Sequence, residues 1–151
     1  MSSTPKATVR LRVAAACPSH SRANVTVRDL SFAIDEPTER GGSNAGPTPT
    51  DTALAALAGC TNVIGHKCAA KQGVELGHLD IAIEAEFDRR GVTLSAEVEV
   101  PFVRVQQTVT AHGAASAEQL DHVAQEVEKF CPLSKLFRGA GTNLKTTWAK
   151  A

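Results

Sequence analysis

Tyrosine is absent from the chain, tryptophan and methionine occur once each, and aromatic residues make up only 4% of the 151 residues. With so few rings, Ala, Val and Leu must build the core. Net charge is absent too, because sixteen basic and sixteen acidic side chains cancel. That balance argues against nucleic acid or an anionic membrane as the main partner. The four cysteines, Cys17, Cys60, Cys68 and Cys131, are widely and irregularly spaced. They form neither a secreted disulfide framework nor a paired C-x-x-C zinc site. No acidic residue precedes Asp29, whereas Lys6, Arg10, Arg12, Arg22 and Arg28 all lie in that stretch. This is the composition of an organelle transit peptide. However, Val9, Leu11 and Val13 alternate with Arg10 and Arg12 at a strand period. There is no apolar core of a signal peptide, so a cytoplasmic protein is expected. Repeats and interdomain linkers are missing as well, and a single domain over residues 1–151 is expected.

What the chain does have is a 28-residue stretch, GPTPTDTALAALAGCTNVIGHKCAAKQG, from Gly46 to Gly73. Thr48, Pro49, Thr50 and Asp51 read as N-cap, N1, N2 and N3 of a helix. Proline suits N1, where its missing N–H would be unpaired anyway. A carboxylate at N3 can reach back to the cap and favours the positive helix end. From Ala53 to Cys60 no charged side chain occurs. A helix apolar all round is normally enclosed by protein. Lys67 and Lys71 suit its C-terminal end, and Gly73 its left-handed cap. Asn62, His66 and Lys67 break the apolar run well short of the ~20 residues a bilayer requires. The stretch therefore predicts a buried central helix with Cys60 near its middle.

Strands are expected on both sides of it. Residues 7–16 read as the first. Val25 and Val27, then Leu30, Phe32 and Ile34, make two more, with a turn at Arg28–Asp29. Pro37, Gly41, Gly42, Gly46 and Pro47 punctuate a loop that leads into the helix. Beyond the helix, Leu79, Ile81, Ile83, Ala85 and Phe87 alternate with polar residues. After a turn at Asp88–Gly91 the alternation resumes from Val92 to Val100. Its phase flips at Pro101, which points to a bulge or a break. Ser116 and Gln119 have capping-box spacing for a second helix with an apolar stripe of Leu120, Val123, Ala124 and Val127. Cys131 falls in line with that stripe and should face inward. Leu144, Thr146 and Trp148 fit a closing strand. The order is that of an α+β domain.

Two cysteines stand out, in AALAGCT on the central helix and in FCPLS at the end of the second. Each alone could be a small buried hydrophobe. Both, however, fall on inward helix faces, and Pro132 can place Cys131 at a helix N-terminus, a position that favours thiolates. His66 and Cys68 point to different faces of one helix and make a poor metal site, and Cys17 before Pro18 reads as an incidental turn thiol.

The run DEPTERGGSNAGPTPTDTALAALAGCT, the downstream CPLS and the strand–helix order resemble the OsmC/Ohr family of osmotically inducible and organic hydroperoxide resistance proteins. The resemblance extends from about Asp29 to Trp148. It implies antiparallel sheets packed around a long buried central helix, in an intertwined homodimer. It also implies a thiol peroxidase acting on organic hydroperoxides without metal, haem or flavin. Carried onto matching positions, Cys60 would be oxidised to a sulfenic acid and Cys131 would condense with it. An external dithiol, lipoyl-type or thioredoxin, would then reduce the Cys60–Cys131 disulfide.

The family pairs its first cysteine with a carboxylate and an arginine. Asp51 stands where Glu is usual, one methylene shorter. Nine residues separate it from Cys60, half a turn out of phase and ~13 Å along a straight helix. The two would meet only across a dimer interface or through an arginine, and a plain capping role for Asp51 is an equal reading. Arg28, just ahead of the DEP segment, is the preferred arginine, with Arg22 and Arg40 as alternatives and an outward-facing turn residue as its bland reading. The rival function is a dimeric stress-related binding protein of the same fold with weak or no peroxidase activity. A Cys/His hydrolase lacks a histidine suitably placed near either cysteine.

Overall fold

Three short antiparallel strands come first. β1 (Ala14–Ala16) pairs with β2 (Ala23–Val27), and β2 with β3 (Leu30–Ile34). Val27 faces Leu30 across a two-residue turn, and Arg28 sits at its tip with φ 55°. The turn expected at Arg28–Asp29 is therefore present. The computed structural model describes residues 3–151. They fall into two compact units, the first ending at Ala53 and the second beginning at Leu54.

In the first unit the loop after β3 is organised by Asp35, which is fully buried. Its carboxylate accepts from the backbone N–H groups of Glu36, Ser43 and Ala45 and from the Ser43 hydroxyl. These bonds, the hydroxyl's foremost, hold the Asp35 carboxyl far below the usual carboxylate range. The loop delivers the chain to α1 (Pro49–Gln72) as the sequence indicates. Thr48 Oγ1 accepts from the Asp51 N–H at 3.1 Å, and Gly73 ends the helix at φ 68°. The first strand is shorter than the residues 7–16 expected. Val9, Leu11 and Val13 stay exposed, and alternation without a neighbouring ladder does not make a strand.

The second unit carries β4 (Leu79–Phe87), β5 (Phe102–Ala111) and β6 (Asn143–Lys150) in that spatial order. β4 alternates half-buried and exposed along its whole length, as its sequence predicts. β4 and β5 are antiparallel, but β5 and β6 run parallel, so this sheet is mixed rather than antiparallel throughout. A parallel pair needs a long crossover. Here α2 (Ala117–Phe130) and α3 (Pro132–Gly139) supply it. Ser116 and Gln119 close a reciprocal capping box at the start of α2.

The strand expected over Val92–Val100 is absent. The Thr93 and Ser95 hydroxyls donate to the carbonyl of Arg90, and Leu94 adopts φ 58° with its side chain exposed. Local side-chain bonds to the backbone displace the ladder the alternation suggested. Pro101 ends this loop, and the β4–β5 register shifts beside it at Glu86/Phe87.

The core of this unit joins Cys68, Ala69 and Leu76 to Ala111, Leu120, Val123, Val127 and Cys131. α1 is buried along one stripe, Leu57, Thr61, Gly65, Cys68 and Ala69, and not all round as its composition suggests. Its exposed positions Ala55, Ala56, Gly59 and Val63 are small or apolar. Gly65 is where the Trp148 ring crosses, and a Cβ there would lie 2.8 Å from the ring edge.

Candidate active site

The tetrapeptide Cys131–Ser134 builds the site's floor. Cys131 is at once the last residue after α2 and the N-cap of α3. Pro132 at N1 has no N–H to offer, so Leu133 and Ser134 present the first free amides of the helix. The Ser134 N–H points at the Cys131 sulfur at 3.4 Å. That of Leu133 favours the ionised form of the Cys60 thiol. The side chain of Cys131 is wholly buried, in the inward position its helical phase predicts.

Cys60 arrives from α1, half-buried against the same core. Its Sγ lies 3.1 Å from that of Cys131, across 71 residues of sequence. Both are free thiols. The separation exceeds the ~2.05 Å of a disulfide, so the pair is in contact but not bonded. Burial pushes the Cys60 thiol above its ordinary value. The Leu133 N–H opposes this, while the hydrogen bond and charge coupling to Cys131 push further up.

The remaining expected residues lie in the first unit. Asp51 is exposed in the first turn of α1, donating its own N–H to the Thr48 cap. Arg28 is exposed at the hairpin tip. Arg22 Nε donates to Asn24 Oδ1 at 2.9 Å, and Arg40 pairs with Glu36 at 2.7 Å. Sequence reasoning brought Cys60 and Cys131 to one place but passed over the two amides of Leu133 and Ser134. The signal for them was Pro132, because proline at N1 hands the donor role to N2 and N3. It also passed over Asp35, whose signal was an acid leading a Gly-rich loop.

A groove of about 810 Å³ between α1 and α2 is lined by Ile64, Lys67, Cys68, His122, Glu126 and Phe130, among others. It contains neither sulfur of the pair. Burial raises the Cys68 thiol, the Glu126 charge adds to this, and Lys71 counters it. Cys68 is thus a packed thiol with no cysteine partner. No helix among the described residues is long and apolar enough to cross a membrane.

Solved structures share this architecture. An OsmC-like protein from Mycoplasma pneumoniae is 15% identical, with a TM-score of 0.75 over 93% of this chain and 98% of that one. An organic hydroperoxide resistance protein OsmC from Legionella pneumophila is 21% identical, with a TM-score of 0.67 over 97% and 99%. The organic hydroperoxide resistance protein OhrB of Bacillus subtilis is 20% identical, with a TM-score of 0.63 over 95% and 98%. At such identities the likeness is one of fold. No curated protein matches the sequence. The model of the OsmC-like protein family matches residues 41–147, which include both thiols of the pair, and the chain belongs to that family.

Proposed function

We propose that the protein is a cysteine peroxidase that reduces organic hydroperoxides in the cytoplasm. The observation that carries this reading is the 3.1 Å contact between two free thiols at the head of α3. Cys60, as thiolate, attacks the terminal oxygen of the O–O bond. The alcohol leaves with a proton, and Cys60 becomes a sulfenic acid. Cys131 attacks that sulfur, water leaves, and a Cys60–Cys131 disulfide closes. An external dithiol, lipoyl-type or thioredoxin, returns both thiols with its own two electrons. Phe130 and Leu136, exposed on either side of the tetrapeptide, offer apolar surface to the organic part of the substrate.

The raised Cys60 thiol sets a condition on this chemistry. A thiolate forms near neutral pH only if a cation or an added donor reaches the sulfur. Arg28 is our candidate cation and Asp51 the carboxylate that orients it, acting in a homodimer. The exposed Ala55, Ala56, Gly59 and Val63 of α1 support that dimer, since small residues let two helices approach closely. The same raised thiol favours a second reading, a dimeric binding protein of this fold with little turnover. Peroxide consumption with a lipoyl dithiol and with thioredoxin, measured in parallel, separates the two. The peroxidase reading requires steady turnover with one of them, lost in Cys60→Ser. No consumption beyond one equivalent with any dithiol, or undiminished turnover by Cys60→Ser, would overturn it.

A further inference from the structure

A cluster of metal-ligating side chains lies at the end of the β4–β5 pair and shares no residue with the dithiol. His78 immediately precedes β4, Asp80 is its second residue, and His112 immediately follows β5. Leu79 pairs with Ala111, so His78 and His112 are the next pair outward in the register. Asp80 is two residues from His78 and shares its face of the strand. The His78 and Asp80 side chains are exposed and that of His112 partly so.

The backbone holds them there. Gly77 and Gly113 pack so tightly that a Cβ on Gly113 would lie 2.4 Å from the Gly77 nitrogen. The His112 N–H donates to the His78 carbonyl at 3.1 Å, and the Gly113 N–H to that of Leu76 at 2.6 Å. With the chains so close, the two imidazoles stack with centroids 3.9 Å apart and planes 12° from parallel. His112 Nε2 lies 2.7 Å and His78 Nε2 4.0 Å from Asp80 Oδ2. One donor atom from each residue falls within 4.8 Å of the other two. The neighbouring His66 is not part of the cluster, because its ring nitrogens face the carbonyl oxygens of Asn62 and Gly77.

We propose that His78, Asp80 and His112 form a surface site for a divalent transition cation of the Zn²⁺ class. Two imidazoles and one carboxylate suit Zn²⁺, Co²⁺, Ni²⁺ or Cu²⁺, whereas Mg²⁺ and Ca²⁺ prefer all-oxygen sites. Tetrahedral ligands at 2.0–2.2 Å stand about 3.3 Å from one another. The His112–Asp80 contact must open and the His78–Asp80 gap close, each by less than ~1 Å, and the two rings must turn out of their near-parallel stack so that both nitrogen lone pairs converge on the ion, all by rotation about χ angles. Three protein donors leave at least one position for water. The ion ties the entry of β4 to the exit of β5.

The test is calorimetric titration of Zn²⁺ into the full chain, the Cys60→Ser/Cys131→Ser protein, His112→Ala and Asp80→Ala. One equivalent should bind both the full chain and the double serine protein. Each ligand variant should bind at least ~10-fold more weakly, since even outer-shell losses have effects of that size. Zn²⁺ should raise the unfolding midpoint of the parent and not of His112→Ala. The ring signals of His78 and His112 should shift together in NMR spectra on addition of Zn²⁺. Circular dichroism and His112→Gln check that the fold is intact. No binding, binding unchanged in His112→Ala, or binding abolished in the double serine protein would each overturn the proposal.

Discussion

Replacing Gly65 with alanine tests how α1 is seated. A mid-helix glycine is worth about 1 kcal/mol less than alanine, so the substitution should stabilise an unobstructed helix. Here the new Cβ would meet Trp148 Cη2 at 2.8 Å and two further ring atoms at 3.7 and 3.8 Å. The ring is rigid and half-buried against the core, so the helix or β6 must shift. Overpacking of this kind costs about 1–3 kcal/mol, which exceeds the propensity gain. The net loss is about 1 kcal/mol. With a urea slope near 2 kcal/mol/M, the midpoint falls by about 0.5 M.

Trp148 is the only tryptophan and there is no tyrosine, so intrinsic fluorescence follows unfolding at the contact itself. Gly139→Ala is the control. That glycine is also helical and exposed, but a Cβ there meets nothing within 4 Å. Its midpoint should hold or rise. Gly65→Leu, with more atoms aimed at the same ring, should fall below Gly65→Ala. A Gly65→Ala protein that unfolds at the parental midpoint or above would refute this seating of α1.

Ser116→Ala removes one half of the α2 capping box and should cost about 1 kcal/mol, read from the same urea curves. Asp35 and Asp88 are both held below their ordinary values, Asp35 by its loop donors and Asp88, to about 2, by Arg90. A depressed carboxylate contributes stability above its unfolded value near 4 and loses it as pH falls through the folded one. Stability should therefore drop below about pH 4, and Asp35→Asn should be less stable at pH 7 with a flatter acid limb. An equal acid limb in the variant would count against it. Light scattering of the purified chain should give the mass of a dimer at micromolar concentration. A monomer mass would remove the interface through which we bring Arg28 and Asp51 to Cys60.

Legibility in the sequence followed how local each signal was. Thr48-Pro49 starts α1, Gly73 ends it, and the Ser116/Gln119 box starts α2, because caps depend on a few adjacent residues. The period of α2 carried Cys131 inward for the same reason. Val92–Val100 misled, since alternation states what a strand would bury but not whether another strand is present to pair with it. The parallel pairing of β6 was equally hidden, because it depends on where α2 and α3 return the chain. The contact between Cys60 and Cys131 could be expected from the family resemblance, yet the amides that meet it became visible only with the start of α3 in place.

The central claim is that Cys60 and Cys131 act as one redox pair. One equivalent of cumene hydroperoxide added to the reduced protein, followed by alkylation, digestion and mass spectrometry, tests it most directly. The account requires the loss of two thiols per chain and a Cys60–Cys131 linked peptide, with Cys17 and Cys68 still alkylated. In Cys131→Ser it requires a trappable sulfenic acid on Cys60. Four alkylated thiols after peroxide, or a bridge through Cys68 or Cys17 instead, would contradict it.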